Sequence, residues 1–141
     1  MKKFYLITLF ALALFTACKR EDEKPANHLL GSWQKVKVES KVPPADWQTE
    51  NQPCQLDDVE EYRPTGDWAL FSGANQCSAG SGVTRGTWQQ AASNTKIIYT
   101  FEGISGEYES TVQELTAEKM ILIQSTGLTN GKQIRYTFEK K

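Results

Sequence analysis

The sequence is short of the side chains that carry chemistry. Its one histidine, His28, leaves no partner for a Ser-His-Asp or Cys-His arrangement. Three cysteines stand without a CxxC spacing, which argues against a thiolate metal site. Lysine and arginine number 16 against 17 acidic residues, with no basic patch of the kind nucleic acid requires. Gly80-Ser81-Gly82 lacks the Lys-Ser/Thr that would follow in a phosphate loop. Beyond residue 27 there is no helical repeat and no long internal repeat. These absences point away from an enzyme and imply no cofactor and no metal.

The one long apolar run is at the N-terminus. Lys2 and Lys3 precede residues 4–15, which are apolar except for Thr8. A bilayer-spanning helix needs roughly 20 such residues, so the run has signal-peptide length instead. Phe15-Thr16-Ala17-Cys18 resembles the lipobox of bacterial lipoprotein precursors. That resemblance implies cleavage of a signal at 1–17, acylation of Cys18 and a membrane partner for the new N-terminus. Two or more acyl chains give stable anchoring where one is marginal. Residues 18–27 are charged, carry Pro25 and offer almost no apolar surface, as in a flexible tether. The segment 19–23 resembles the acidic signals that send some lipoproteins to the outer face of an outer membrane; a plain solvated linker is the alternative. The expected location is the cell envelope, outer-membrane anchored, with periplasmic and external faces both open. Without residues 1–17 the chain keeps 14 basic and 17 acidic residues, a formal −3.

Residues 28–141 suit one domain with one core. With Cys18 committed to lipid, Cys54 and Cys77 remain as an even pair in an exported chain and are expected to form a disulfide. Period two predicts strands. In 132–139, Ile134, Tyr136 and Phe138 alternate with Gln133, Arg135 and Thr137; in 96–102, Ile97, Tyr99 and Phe101 alternate with polar neighbours. Segments 107–112 and 120–123 continue the series, and 33–40, 58–63, 68–73 and 84–90 are less regular strands. Trp33 is out of phase with Val36 and Val38, which predicts a bulge near residues 34–35. Turn residues at 64–66, 103–106 and 130–131 punctuate the runs. About eight short antiparallel strands indicate an all-β, up-and-down barrel, with a β-sandwich as the alternative. Such a barrel is just filled by side chains or holds one small ligand.

Here the residues resemble a family. Leu30-Gly31-Ser32-Trp33 is similar to the Gly-x-Trp signature that opens lipocalins. Residues 28–139 resemble the bacterial lipocalin-like domains found on lipoproteins, through 53–58 with its Cys54 and Asp57-Asp58, through Tyr62 before the turn ending at Gly66, and through Cys77 and Gly86-Thr87-Trp88. No Thr-Asp-Tyr motif and no helix precede the C-terminus. The resemblance implies that Trp33 plugs one barrel end with Arg135 packed over it.

Two functions are then expected to compete. In the first, the barrel binds a small apolar molecule, with Trp47, Trp88, Tyr99, Phe101, Tyr108 and Tyr136 as candidate contacts. In the second, the interior is filled and the domain is an interaction module; the oligomeric state stays open. Trp47 lies in a long connection, 41–56, which either folds over the mouth as a lid tied by Cys54–Cys77 or packs on the outer wall. The carboxylates Asp57-Asp58 and Glu60-Glu61 do not converge as adjacent pairs, because neighbours on a strand point to opposite faces. Asp58 and Glu60 can share a face, although a solvated edge or a hydrogen-bonded turn is the simpler expectation.

Overall fold

The computed structural model describes residues 27–51, 53–77, 82–91 and 94–141. The signal at 1–17, the lipid-bearing Cys18 and all of the tether except residue 27 lie outside the described residues.

Among the described residues nine strands follow in chain order: β1 (Gly31–Lys41), β2 (Gln48–Thr49), β3 (Val59–Tyr62), β4 (Asp67–Phe71), β5 (Val83–Gln90), β6 (Lys96–Phe101), β7 (Ile104–Leu115), β8 (Lys119–Ser125) and β9 (Gln133–Lys140). Each strand from β3 to β9 pairs antiparallel with the next, and β1 pairs with both β3 and β9. Eight strands therefore close into a barrel, which removes the free edges of an open sheet. The two-residue β2 pairs only with Glu39 and Ser40 near the end of β1.

The register explains the phase change in β1. Lys35 faces Phe138 and Lys37 faces Thr137, so Val36 has no opposite number and forms the bulge. It sits one residue beyond the expected position. Trp33 and Lys35 before it and Val38 after it can thus all point inward.

The core is concentrated at one end, the base. Trp33, Tyr62, Ile97, Met120, Leu122 and Phe138 are fully buried there, together with Leu29 from the segment that crosses the base. Trp33 donates its indole N–H to the Leu29 carbonyl at 2.8 Å, which satisfies the one polar group that burial would otherwise strand. A close approach between β5 and β6 depends on Gly86, where a Cβ would lie 1.8 Å from the Thr100 carbonyl oxygen. At the opposite end, the mouth, are the β1–β3 connection and the loops after β4, β6 and β8.

Arg135 does not cover Trp33. Its partner in register is Glu39, on the outer wall, and Lys140 lies over the Trp33 ring at 4.2 Å instead. The reason is the alternation of β9: Tyr136 and Phe138 point inward, so Arg135 points out and Lys140 points in.

Candidate functional site

Between the packed base and the mouth the barrel holds a small chamber of about 150 Å³. Trp68, Leu70, Phe101 and Tyr136 form its apolar lining, and Lys35, Glu60, Tyr99 and Gln124 supply polar atoms. Toward the mouth a wider recess of about 400 Å³ shares Leu70, Phe101 and Gln124 with the chamber. Ile104 and Tyr108 of β7 border this recess and are half-exposed. Phe101 links the two spaces: its ring packs edge-on against Trp68 at 5.3 Å and against Tyr108 at 4.7 Å. The outer wall carries a further depression of about 490 Å³, bordered by Arg63, Asp67, Arg85 and Thr87. Those side chains are exposed, and Trp68 and Phe101, which also line the chamber, border the depression as well.

A chain of hydrogen bonds crosses the interior. Gln124 donates to the Ser110 hydroxyl at 2.9 Å, and Ser110 bonds in turn to Tyr99. Tyr99 and Tyr62 meet at 2.9 Å, and Tyr62 donates to Glu60 Oε2 at 2.6 Å. Tyr62 has a single hydroxyl proton and gives it to Glu60, so Tyr99 must be the donor in the tyrosine pair. Ser110 then donates to Tyr99, and the donors run in one direction, ending at the Glu60 carboxylate. The Trp68 indole N–H adds a second donor to the same oxygen at 3.3 Å. Burial first, and the nearby Glu60 charge second, push the hydroxyls of Tyr62, Tyr99 and Tyr136 above the usual tyrosine range. They therefore remain donors at neutral pH.

Lys35 is a buried cation of the interior, and Asp58 beside it is buried as well. Its ammonium is 3.6 Å from Asp58 Oδ2 and 4.9 Å from the centre of the Tyr136 ring. Asp58 also accepts from the Gly73 amide at 3.2 Å, so it serves both the hydrogen-bonded turn and the shared inner face. Among the described residues no group of three or more His, Cys, Asp or Glu side chains could hold a metal ion.

The aromatic candidates separate by position. Tyr99, Phe101 and Tyr136 line the chamber, and Tyr108 stands at the mouth. Trp88 sits away from the chamber, edge-on to Tyr62 at 5.6 Å with its N–H on the Arg63 carbonyl. Trp47 is not a lid contact: it packs on the outer wall, with Lys41 4.6 Å and Arg135 4.4 Å from its ring centre. Cys54 and Cys77 are joined in a disulfide that ties the turn before β3 to the loop after β4. Sequence reasoning missed Lys35, Ser110 and Gln124, and for Glu60 it preferred a solvated edge or a hydrogen-bonded turn to a face shared with Asp58. The signal for Glu60 was its spacing of two from Tyr62, which places both on one face.

No protein-family model matches the chain, and no curated protein matches its sequence. Solved structures do. Lobster apocrustacyanin A1 superposes with a TM-score of 0.52 at 12% identity, covering 83% of this chain and 63% of that one. A DUF4847 family protein from Bacteroides vulgatus superposes with a TM-score of 0.51 at 11% identity, covering 77% of this chain and 92% of its own. The fold is lipocalin-like. This chain thus spans less than two thirds of apocrustacyanin A1 but nearly all of the bacterial protein.

Proposed function

We propose that this chain is a lipid-anchored envelope protein whose lipocalin-like barrel binds a small, mainly apolar molecule through its mouth. The observation that carries the binding reading is that chamber and recess adjoin, with Leu70, Phe101 and Gln124 in the walls of both. The chamber alone, about 150 Å³, is below the roughly 300 Å³ of an ordinary ligand site, and the recess of about 400 Å³ makes up the difference. The ligand is accordingly half-inserted, one end among the inner aromatics and the rest against Ile104 and Tyr108. Anchoring rests on the lipobox-like 15–18. The described chain enters at the base, where Asn27 accepts from the Leu30 amide at 3.1 Å. An anchor at Cys18 consequently joins the base, and the mouth opens on the other end.

A second reading has its own support. Among the described residues the exposed large apolar side chains, Val42, Leu56, Ile104, Tyr108 and Leu128, all belong to the mouth end. A rim of that kind also suits a protein partner, with the small chamber left as a packing remnant.

Titration with the neutral fluorophore N-phenyl-1-naphthylamine separates the two. Saturable one-to-one uptake is expected, weakened severalfold by Phe101→Ala and unaffected by Trp88→Phe. Absence of saturable uptake in the folded protein would overturn the ligand reading and leave the partner surface.

A further inference from the structure

The charges inside the barrel do not cancel. Lys35 is already engaged, by the Asp58 carboxylate at 3.6 Å and by the Tyr136 ring, and its side chain is 8% exposed. Glu60 has no basic side chain within ion-pair distance among the described residues. Both donors it accepts, the Tyr62 hydroxyl and the Trp68 indole, fall on Oε2. Its Oε1 has no hydrogen-bond partner among the described residues, and Glu60 borders the chamber. Lys35 and Glu60 border the chamber, and Asp58 stands behind Lys35, so the three groups sum to one formal negative charge with the Lys35 cation already paired.

Trp68, Tyr99, Phe101 and Tyr136 border the same space. A carboxylate oxygen left open among aromatic rings is the arrangement that holds an ammonium group. The rings attract a cation electrostatically, and N–H donors bond more strongly to an ionised acceptor than to a neutral one. An anionic head would meet Glu60 at close quarters. A purely apolar end would bury Oε1 with no donor at all, which costs about 1–3 kcal/mol or more. The chamber is large enough for a head group and too small for a body, which belongs in the recess beside Ile104 and Tyr108.

We infer that the site selects a small amphipathic amine, its ammonium head on Glu60 and its apolar body in the mouth. This deepens the ligand-binding reading and rests on it.

Octylamine, octanol and octanoate, titrated calorimetrically at pH 7 into the purified chain, differ in the head alone. Octylamine is expected to bind about tenfold or more tighter than either of the others, as a charge-assisted bond implies. Glu60→Gln keeps the side chain's shape and an acceptor oxygen, and it should abolish the advantage of octylamine over octanol. Equal or tighter binding of octanol or octanoate to the unsubstituted protein overturns the amine inference and leaves the ligand reading standing. So does full octylamine affinity in a Glu60→Gln variant shown to be folded by circular dichroism. If that variant does not fold, the head-group ranking on the unsubstituted protein decides. Failure of all three ligands to bind overturns the inference and the reading together.

Discussion

Lys140 Nζ lies 4.2 Å from the centre of the Trp33 ring and donates to the backbone oxygens of His28, at 3.2 Å, and Leu30. The last strand thereby covers the tryptophan of the first, and the same ammonium pins the segment crossing the base. Burial lowers the Lys140 pKa below its usual value, which marks a cation held out of water by this packing.

Trp33→Ala should destabilise the barrel by about 3–5 kcal/mol, the cost of emptying a large buried aromatic site. Lys140→Ala should cost less, and the double mutant should fall short of additivity by about 0.5–1 kcal/mol, the size of a cation–ring contact. Arg135→Ala combined with Trp33→Ala should simply add. Urea unfolding of the set checks this, and strict additivity for Trp33 with Lys140 would show that their contact contributes nothing.

Arg135 works on the outer wall instead. Its Nε donates to Glu39 Oε2 at 2.8 Å, and that bond, reinforced by Lys37, holds the Glu39 carboxyl below its usual 4.5. A carboxyl depressed by folding stabilises fully above the unfolded value and loses that contribution as pH falls through the folded one. Arg135→Ala is expected to cost about 1–2 kcal/mol at neutral pH. The gap from the unsubstituted protein should narrow in acid as Glu39 protonates. A gap independent of pH would assign the whole effect to the Trp47 stack.

Period two revealed the strands because each has one wet face and one dry face, as in 96–102 and 132–139. The same rule already put Arg135 opposite to Tyr136 and Phe138, and the family resemblance, which assigned it to Trp33, overrode it wrongly. Lys140 was legible by stepping two from Phe138. The inner polar chain was hidden for a different reason. Alternation counts every charge as solvent-facing, so Lys35 and Glu60 read as wet positions although their phase with Trp33 and Tyr62 makes them inward. A bulge at Val36 further obscured β1. The strand β2 has two exposed residues and no apolar alternation, which leaves no pattern to read.

Alkaline stability should report the buried tyrosines. Tyr62, Tyr99 and Tyr136 titrate above 10 in the fold, so their contribution is intact below the unfolded value of 10.0 and is lost as pH rises toward the folded values. Each steepens the decline by up to about 1.4 kcal/mol per pH unit. Lys140 acts oppositely, since its lowered pKa leaves the unfolded chain with more protons just below 10.5, but one lysine does not offset three tyrosines. Denaturant unfolding between pH 9 and 11 should show a falling stability, with a shallower fall in Tyr99→Phe. An identical slope in that variant would remove Tyr99 from the buried set.

The anchor is tested by fractionation. Cys18→Ser should shift the protein from the detergent phase to the soluble envelope fraction, because the acyl chains supply the membrane affinity. Unchanged partition would sink the lipoprotein proposal. Alanine at Glu21, Asp22 and Glu23 should reduce surface labelling of intact cells while leaving membrane association in place, and equal labelling would remove the export role of that segment.

The disulfide shares its task with two carboxylates. Cys54–Cys77 joins the turn before β3 to the loop after β4, and Asp57 reaches the same loop through the amides of Ala74 at 2.8 Å and Asn75 at 3.3 Å. Gly73 makes this approach possible, since a Cβ there would fall 2.0 Å from Asp57 Cγ. Asp58 accepts from the Gly73 amide and touches Lys35 within the chamber, so the tied loop is mechanically continuous with the site. Reduction should cost up to about 3 kcal/mol by loop-closure entropy for a separation of 23 residues. Hydrogen exchange is expected to rise in 53–58 and 72–77 and to stay low in the strands from Lys96 onward. It should also stay low at 48–49, because β2 is held by β1 and the adjacent Trp47 by Lys41 and Arg135, none of which depends on the sulfur bridge. Asp58→Asn should make the reduced loop looser than the sum of the two changes, since each tie limits what the other can release. Uniform loss of protection around the barrel on reduction would instead make the bridge a staple for the whole fold, with no special link to the chamber.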